Sequence, residues 1–471
     1  MSTIIGRQKE IKQLDRLTKS SKSEFLAVYG RRRVGKTFLI REYFNYTFDF
    51  QLTGLANANM LQQLTNFQVG LQRQAGFEIM ETPENWFSAF QLLIDYLESI
   101  DAPRQKVIFL DELPWMDTPR SDFLMSLEHF WNTWATNRKD ILLITCGSAA
   151  AWMINELINN HGGLHNRVTE RMKVYPFNLQ ETELMLKAQD SVLDRYQILQ
   201  LYMVMGGIPF YLDQIDPYKS AAQNIEALCF RKGALLVLEF QNLFNSLFKN
   251  AAPYERIIIA LASKSSGMNR KEISQAAAIP SGGNLSKKLD ALEESGFVTR
   301  YTPFQKKAKE TVYRLSDFYS RFYLKFIRDN TNFDAGIWTN AIDHPAQRAW
   351  SGYAFEQVCL AHTQQIKNAL QIGGIISNTL TWRSKDGIQI DLLIDRRDQV
   401  VNLCEIKYSI NPYAITKDYA AKLRNKIGTF KQETNTRKTV FLTMITTYGL
   451  VQNKHASALV QNEVLMDALF E

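Results

Sequence analysis

The spacing of apolar residues changes several times along this 471-residue chain, and each change predicts a different element. Near the start, the unbroken apolar run FLAVY (25–29) reads as a short strand buried on both faces. A glycine-bearing turn follows, and apolar residues at Phe38, Leu39, Ile40 and Phe44 then predict a helix. Two more strand-like runs, KVIFLDE (106–112) and DILLITCGS (140–148), alternate with helical patterns, which predicts a parallel α/β sheet. From 180 to 250 the apolar spacing is three and four residues, as in helices. From Pro253, three helical segments precede the strand-like runs VTRYTPF and ETVYRLS, joined by the basic loop QKKAK. Beyond 335, an amphipathic helix (347–366) leads to the runs QIDLLID (389–395) and VNLCEIK (401–407). These transitions predict four segments: 1–180, 181–250, 251–330 and 335–471.

Composition narrows the class only slightly. Apolar content of 45% and charged content of 22% are ordinary for a globular protein. No run of about 18 apolar residues occurs, so no membrane span is expected. The N-terminus is charged and has no apolar core of a signal peptide. The four cysteines are far apart without metal-ligand spacing and read as reduced thiols, the expectation for a cytoplasmic protein. A net charge of +7 favours polyanions without deciding for them.

The first turn carries the chemistry of phosphate binding. It reads Gly30-x-x-x-x-Gly35-Lys36-Thr37 between a strand and a helix. Glycines let backbone N–H groups close on phosphate oxygens, and the helix N-terminus adds partial positive charge. Lys36 then reaches the β- and γ-phosphates of ATP, and the Thr37 hydroxyl ligates Mg2+. The run 106–112 ends in Asp111 and Glu112, expected to hold the magnesium shell and to activate the attacking water. At the end of the next run, Ser148 or Thr145 can sense the γ-phosphate or cap the following helix. Arg167 or Arg171 can stabilise transition-state charge in cis or across a subunit contact, so a homo-oligomer is compatible with the pattern.

These residues resemble the archaeal-type ATPases of the AAA+/STAND group. The resemblance rests on Ile5-Gly6-Arg7…Glu10, the loop GRRRVGKT, the strand VIFLDE and Gly207-Ile208-Pro209. It implies a P-loop sheet with a helical lid. It also implies that Gly6 and Arg7 border the adenine and that the turn at Pro209 closes the lid on the nucleotide.

Segment 251–330 has the order of a winged helix-turn-helix. Asn284, Lys287 and Lys288 start the expected recognition helix, and Lys306 and Lys307 lie on the expected wing, where they can neutralise DNA phosphates. The other reading is a module that only bridges domains.

In the last segment, antiparallel pairing of 389–395 with 401–407 sets Asp391 opposite Glu405. Asp391, Glu405 and Lys407 then share one face, and Ile390, Leu392, Cys404 and Ile406 the other. Two opposed carboxylates require a cation, and hard oxygen ligands suit Mg2+ or Mn2+. Lys407 beside such an ion can stabilise charge on phosphorus. Glu356, on the amphipathic helix, can add a ligand. The pattern resembles the PD-(D/E)XK nuclease superfamily through Gly352-x-x-Phe355-Glu356, Ile390-Asp391 and Glu405-Ile406-Lys407. It implies Glu356, Asp391 and Glu405 as metal ligands and Lys407 as the catalytic lysine, in a domain either active as a nuclease or kept as an inert nuclease-like fold.

Overall fold

The computed structural model describes residues 4–76, 81–101, 103–159, 167–248, 250–306, 310–330, 336–342 and 344–471. Two compact units emerge, Met1–Pro176 and Phe177–Glu471.

Five strands organise the first unit: β1 (Glu24–Tyr29), β2 (Phe50–Thr53), β3 (Lys106–Asp111), β4 (Ile141–Gly147) and β5 (Glu170–Lys173). They lie in the order β2-β3-β4-β1-β5, and every neighbouring pair is parallel. Every residue of β3 and β4 is buried, which explains their near-continuous apolar runs: helices cover both faces of such a sheet. Although fourth along the chain, β4 inserts between β1 and β3. One side is filled by aromatic packing, with Phe50 against Phe67 at 5.2 Å and Trp86 against Phe123 at 4.8 Å between ring centroids. Helix Met60–Ala75 starts on a reciprocal cap. Asn59 accepts from the Gln62 amide, and the Gln62 side chain accepts from the Asn59 amide.

The second unit begins with helices Leu179–Ala188, Arg195–Met205, Pro209–Leu212, Ala221–Cys229 and Glu239–Leu247. Gly207 is required sterically, because a Cβ there would meet the Phe177 carbonyl oxygen at 1.7 Å. The Phe177 amide donates to Gly207 O at 2.6 Å, and the Tyr202 hydroxyl donates to Phe177 O at 2.9 Å. Helices Ala252–Ala262, Arg270–Ala276 and Gly283–Glu294 follow. They accompany an antiparallel sheet of β6 (Met268–Asn269), β7 (Val298–Tyr301) and β8 (Val312–Leu315), in the order β6-β8-β7.

A mixed sheet completes this unit: β9 (Ser377–Arg383), β10 (Gln389–Arg396), β11 (Val400–Lys407), β12 (Thr439–Thr446) and β13 (Asn462–Leu465). Its order is β13-β12-β11-β10-β9, antiparallel from β9 to β11 and parallel from β11 to β13. The β10–β11 hairpin pairs Leu392 with Cys404 and Leu393 with Leu403, the register that alternation of apolar residues demands. Its short loop lacks glycine, and Gln399 takes the left-handed conformation instead, at φ 68°.

The segment after β7, expected to lead into a DNA-facing wing, starts out docked. Phe304 is buried against Phe430 at 5.4 Å, and its amide donates to Thr381 O in β9 at 2.8 Å. Among the described residues no helix is long and apolar enough to cross a membrane.

His362 ties two helices of the second unit together and supplies a pH test of the fold. Its Nε2 accepts from the Leu179 amide at 3.0 Å, so Nδ1, 2.9 Å from Val358 O, carries the proton. Burial lowers its pKa to about 4, against the opposing pull of the Val358 carbonyl. An unfolded chain takes up this proton near the ordinary histidine value and the folded chain does not. Stability therefore rises with pH from about 4 to about 6.5 and is lost as pH falls through that window. In His362→Gln, a neutral side chain that can accept and donate in the same places, the denaturation midpoint is expected to fall less between pH 7 and pH 5 than in the wild type.

Candidate nucleotide site and carboxylate–lysine centre

The turn after β1 is shaped by backbone demands. Gly30 has φ 144°, and a Cβ there would meet Val174 O at 2.3 Å. Gly35, at φ 85°, caps helix Lys36–Tyr43 in the left-handed conformation. Lys36 is only 6% exposed, and its Nζ donates to Gly30 O at 3.1 Å and Arg31 O at 2.9 Å. Burial lowers the Lys36 pKa, and Cys146, Glu112 and Asp111 partly counter it. Its ammonium thus rests on carbonyls of the loop.

Strand β3 delivers the acids although β4 separates it from β1. Thr37 Oγ1 lies 3.1 Å from both Asp111 carboxylate oxygens. The Glu112 amide donates to Asp111 Oδ1 at 3.1 Å. Glu112 itself has φ 48°, an uncommon conformation for a residue with a Cβ. Its Oε2 accepts from the Ser148 amide at 3.2 Å and the Ser148 hydroxyl at 3.0 Å. Of the two polar residues at the end of β4, Ser148 therefore faces the acid, whereas buried Thr145 donates to Leu26 O at 3.3 Å.

The remaining expected residues of this unit fall in different places. Arg7 donates to Val34 O at 2.8 Å and Tyr175 O at 2.7 Å, so it fastens the phosphate loop through its backbone. Gly6 precedes it at φ 64°. Arg167 is exposed in a turn before β5, and among the described residues no hydrogen bond or ion pair joins it to the loop. Arg41, not anticipated from the motif, brings a guanidinium nitrogen 3.9 Å from Asp111 Oδ2.

In the second unit, Pro209 opens helix Pro209–Leu212. Asn284 and Lys287 are exposed on helix Gly283–Glu294. Lys288 donates to Asn284 Oδ1 at 2.9 Å and lies 5.1 Å over the Tyr254 ring. Lys306 is exposed and pairs with Glu310 at 3.2 Å. Lys307 lies outside the described residues.

The hairpin of β10 and β11 brings Asp391, Glu405 and Lys407 to one region with Glu356 of helix Pro345–Ala361. Burial, then Asp391, and less strongly Glu405, raise the Glu356 pKa to about 7 against the pull of Lys407 and Arg314. Only groups close together shift one another in this way. Yet each of the other two acids already holds a cation. Arg314 of β8 donates to Asp391 Oδ1 at 3.2 Å, and the Gln389 side chain donates to the same oxygen. Glu405, 8% exposed, has Lys407 at 2.9 Å on Oε1 and Lys426 at 2.6 Å on Oε2, with the Tyr419 hydroxyl also donating to Oε1. Burial alone raises this carboxyl, but Lys426 and Lys407 outweigh it and hold it below the ordinary glutamate value.

The metal group expected of Glu356, Asp391 and Glu405 is not assembled in this arrangement. Among the described residues, no three His, Cys, Asp or Glu side chains are grouped to hold a metal ion. The physical reason is that three basic side chains already supply the positive charge that opposed carboxylates demand. Lys426 had a signal in the sequence. With Tyr419, Leu423 and Phe430 it follows the three-and-four spacing of the inward stripe on helix Lys417–Thr434. Arg314 had none, because its partner is 77 residues away.

The Glu356 shift has a signed consequence. The folded chain holds this proton above the pH where an unfolded chain releases it, so stability falls as pH rises from about 4.5 to about 7. Glu356→Gln is expected to lose that component and to melt above the wild type at pH 8 but not at pH 4.5, as thermal unfolding at the two pH values would register.

Comparisons with known proteins bear mainly on the nucleotide site. Residues 4–215 match the family described as an ATPase domain predominantly from Archaea. An uncharacterized protein of Methanocaldococcus jannaschii is 23% identical over 410 residues, covering 86% of this chain and 87% of that protein. Among solved structures, the Walker-type ATPase of Pyrococcus abyssi is 16% identical, with a TM-score of 0.49, over 69% of this chain and 96% of that one. The Aeropyrum pernix ORC2 protein is 16% identical, with a TM-score of 0.40, over 69% and 94%. Residues 4–215, a little under half of this chain, are thus similar to archaeal-type ATPase domains.

Proposed function

We propose that the protein is an ATP-hydrolysing switch that acts on DNA, with nucleotide state in the N-terminal unit coupled to the DNA-facing helix and the carboxylate–lysine centre of the second. The observation that carries this reading is the meeting of Lys36, Thr37, Asp111, Glu112 and Ser148 at the carboxyl ends of β1, β3 and β4.

The residues fit an ATPase in kind and position. Loop amides and the start of helix Lys36–Tyr43 receive phosphate oxygens. Lys36 exchanges its bonds to Gly30 O and Arg31 O for the β- and γ-phosphates. A magnesium ion bound with the nucleotide would supply charge neutralisation, and Thr37 and Asp111 are the residues that would hold it. Glu112 orients the attacking water and takes its proton. Ser148 occupies one oxygen of Glu112, so a change at the end of β4 alters how freely the acid acts.

For DNA, exposed Lys287 and Asn284 at the start of helix Gly283–Glu294 support contact with phosphates, with Lys288 and Lys306 beside other partners. The C-terminal domain has two readings. In one, the centre cuts nucleic acid with magnesium or manganese. In the other it is a nuclease-like fold that cuts nothing. The cations already seated on Asp391 and Glu405 favour the second.

Nucleotide binding is expected to disappear in Lys36→Ala. Glu112→Gln is expected to bind ATP but to hydrolyse it about 10²-fold or more slowly, measured by phosphate release under single turnover. Wild-type binding that survives Lys36→Ala unchanged would remove the reading. Plasmid incubated with magnesium or manganese, with and without ATP, is expected to stay intact while DNA binding varies with nucleotide. Metal-dependent nicking that vanishes in Glu405→Ala and Lys407→Ala would instead establish the nuclease.

A further inference from the structure

Beside the carboxylate–lysine centre, the second unit holds a cavity of about 270 Å³. Its walls come from β7, β8, helix Phe318–Phe322 and helix Pro345–Ala361, and they include Thr299, Arg314, Ser316, Arg321, Glu356 and Gln357. Two guanidiniums therefore share one small space, against the single carboxyl of Glu356.

Their partners are unequal. Arg314, 8% exposed, donates to Asp391 Oδ1 and to Ser266 O, both at 3.2 Å, and stands 5.4 Å over the Tyr301 ring. Arg321 donates from one terminal nitrogen to Leu315 O at 2.7 Å. Its Nε is buried with no acceptor, and among the described residues no carboxylate lies within ion-pair distance of it. Across the cavity, the Gln357 side-chain nitrogen donates to Ser316 O at 2.5 Å, and its Oε1 is buried with no donor. Burial first, and Arg314 second, pull the Arg321 pKa down to about 10.

A buried guanidinium offers five N–H donors and is costly to keep without an anion. Here two arginines, Gln357 and hydroxyl-bearing residues that include Thr299 and Ser316 line the same space, and the partnerless Arg321 Nε and Gln357 Oε1 lie buried in its wall. Two guanidiniums arriving from different elements suit a tetrahedral oxyanion, whose oxygens point in several directions, better than a planar carboxylate. The unmet acceptor on Gln357 calls for a hydroxyl close to that oxyanion, which a phosphate monoester or the adjoining sugar provides. We propose that this cavity binds the phosphate group of a nucleotide unit, held by Arg321 and Arg314 with Thr299 and Ser316 beside it. The site goes beyond the switch reading, because it requires neither ATP hydrolysis at Lys36 nor cleavage at Lys407.

The test is titration calorimetry on the full chain carrying Lys36→Ala, which silences the phosphate loop, with and without Arg321→Gln. The probes are inorganic phosphate, a 5′-phosphorylated dinucleotide and the same dinucleotide without the phosphate. Binding of the phosphorylated dinucleotide is expected, with a loss of about tenfold or more in Arg321→Gln. Inorganic phosphate binding as well marks free phosphate as a sufficient ligand, and binding of the dinucleotide alone marks a strand end. Should Arg321→Gln unfold the chain, Thr299→Glu, which adds a carboxylate to the wall, is expected to weaken binding to the same extent. Equal affinity with and without the 5′-phosphate, affinity unchanged by both substitutions, or no binding at all would overturn the proposal. None of these outcomes depends on the ATPase or plasmid assays, so the two readings fail separately.

Discussion

A carboxylate at or near the end of a buried strand has to be met by donors, and how each unit meets that demand sets its chemistry. Asp111 is 3% exposed at the end of β3, a strand buried along its whole length. Its nearest partners are a hydroxyl and an amide, those of Thr37 and Glu112, with Arg41 at 3.9 Å. Hydroxyl and amide donors satisfy oxygen lone pairs without cancelling the charge. The site therefore keeps a residual demand for positive charge, which is the condition under which a divalent ion and a polyphosphate bind together.

The same demand is answered differently in the second unit. Asp391 meets Arg314, and Glu405 meets Lys407 and Lys426. Here the compensation is full charge against full charge. A divalent ion would have to displace these cations, of which Arg314 is buried and Lys407 and Lys426 are partly exposed, and breaking a buried pair by taking away one partner typically costs about 3–5 kcal/mol. Glu356 is the acid left without such a partner, and its raised pKa expresses that: with neighbouring carboxylates and little water, the proton is the most accessible cation.

The segment between these sites is more than a spacer. Phe304 anchors the β7–β8 connection into the core of the C-terminal sheet, and Arg314 of β8 reaches Asp391. The three-stranded sheet and the mixed sheet are thus joined by an apolar side chain on one side and an ion pair on the other.

Local pattern determined much of this. The phosphate loop, the acids ending β3, the polar end of β4 and the register of the β10–β11 hairpin each depend on residues close in sequence and on strand or helix periods, so the sequence alone located them. The pairing of Leu392 with Cys404 followed from keeping apolar side chains on one face. Tertiary structure alone decided which donor reached which acid. Ser148 rather than Thr145 turned to Glu112, Arg7 was taken up by the Val34 and Tyr175 carbonyls, Phe304 docked onto β9, and Arg314 reached Asp391. Those outcomes depend on long-range approach of side chains whose partners lie tens to hundreds of residues away. No periodicity encodes such approach, because the energy that selects it arises only once burial has removed water from both partners.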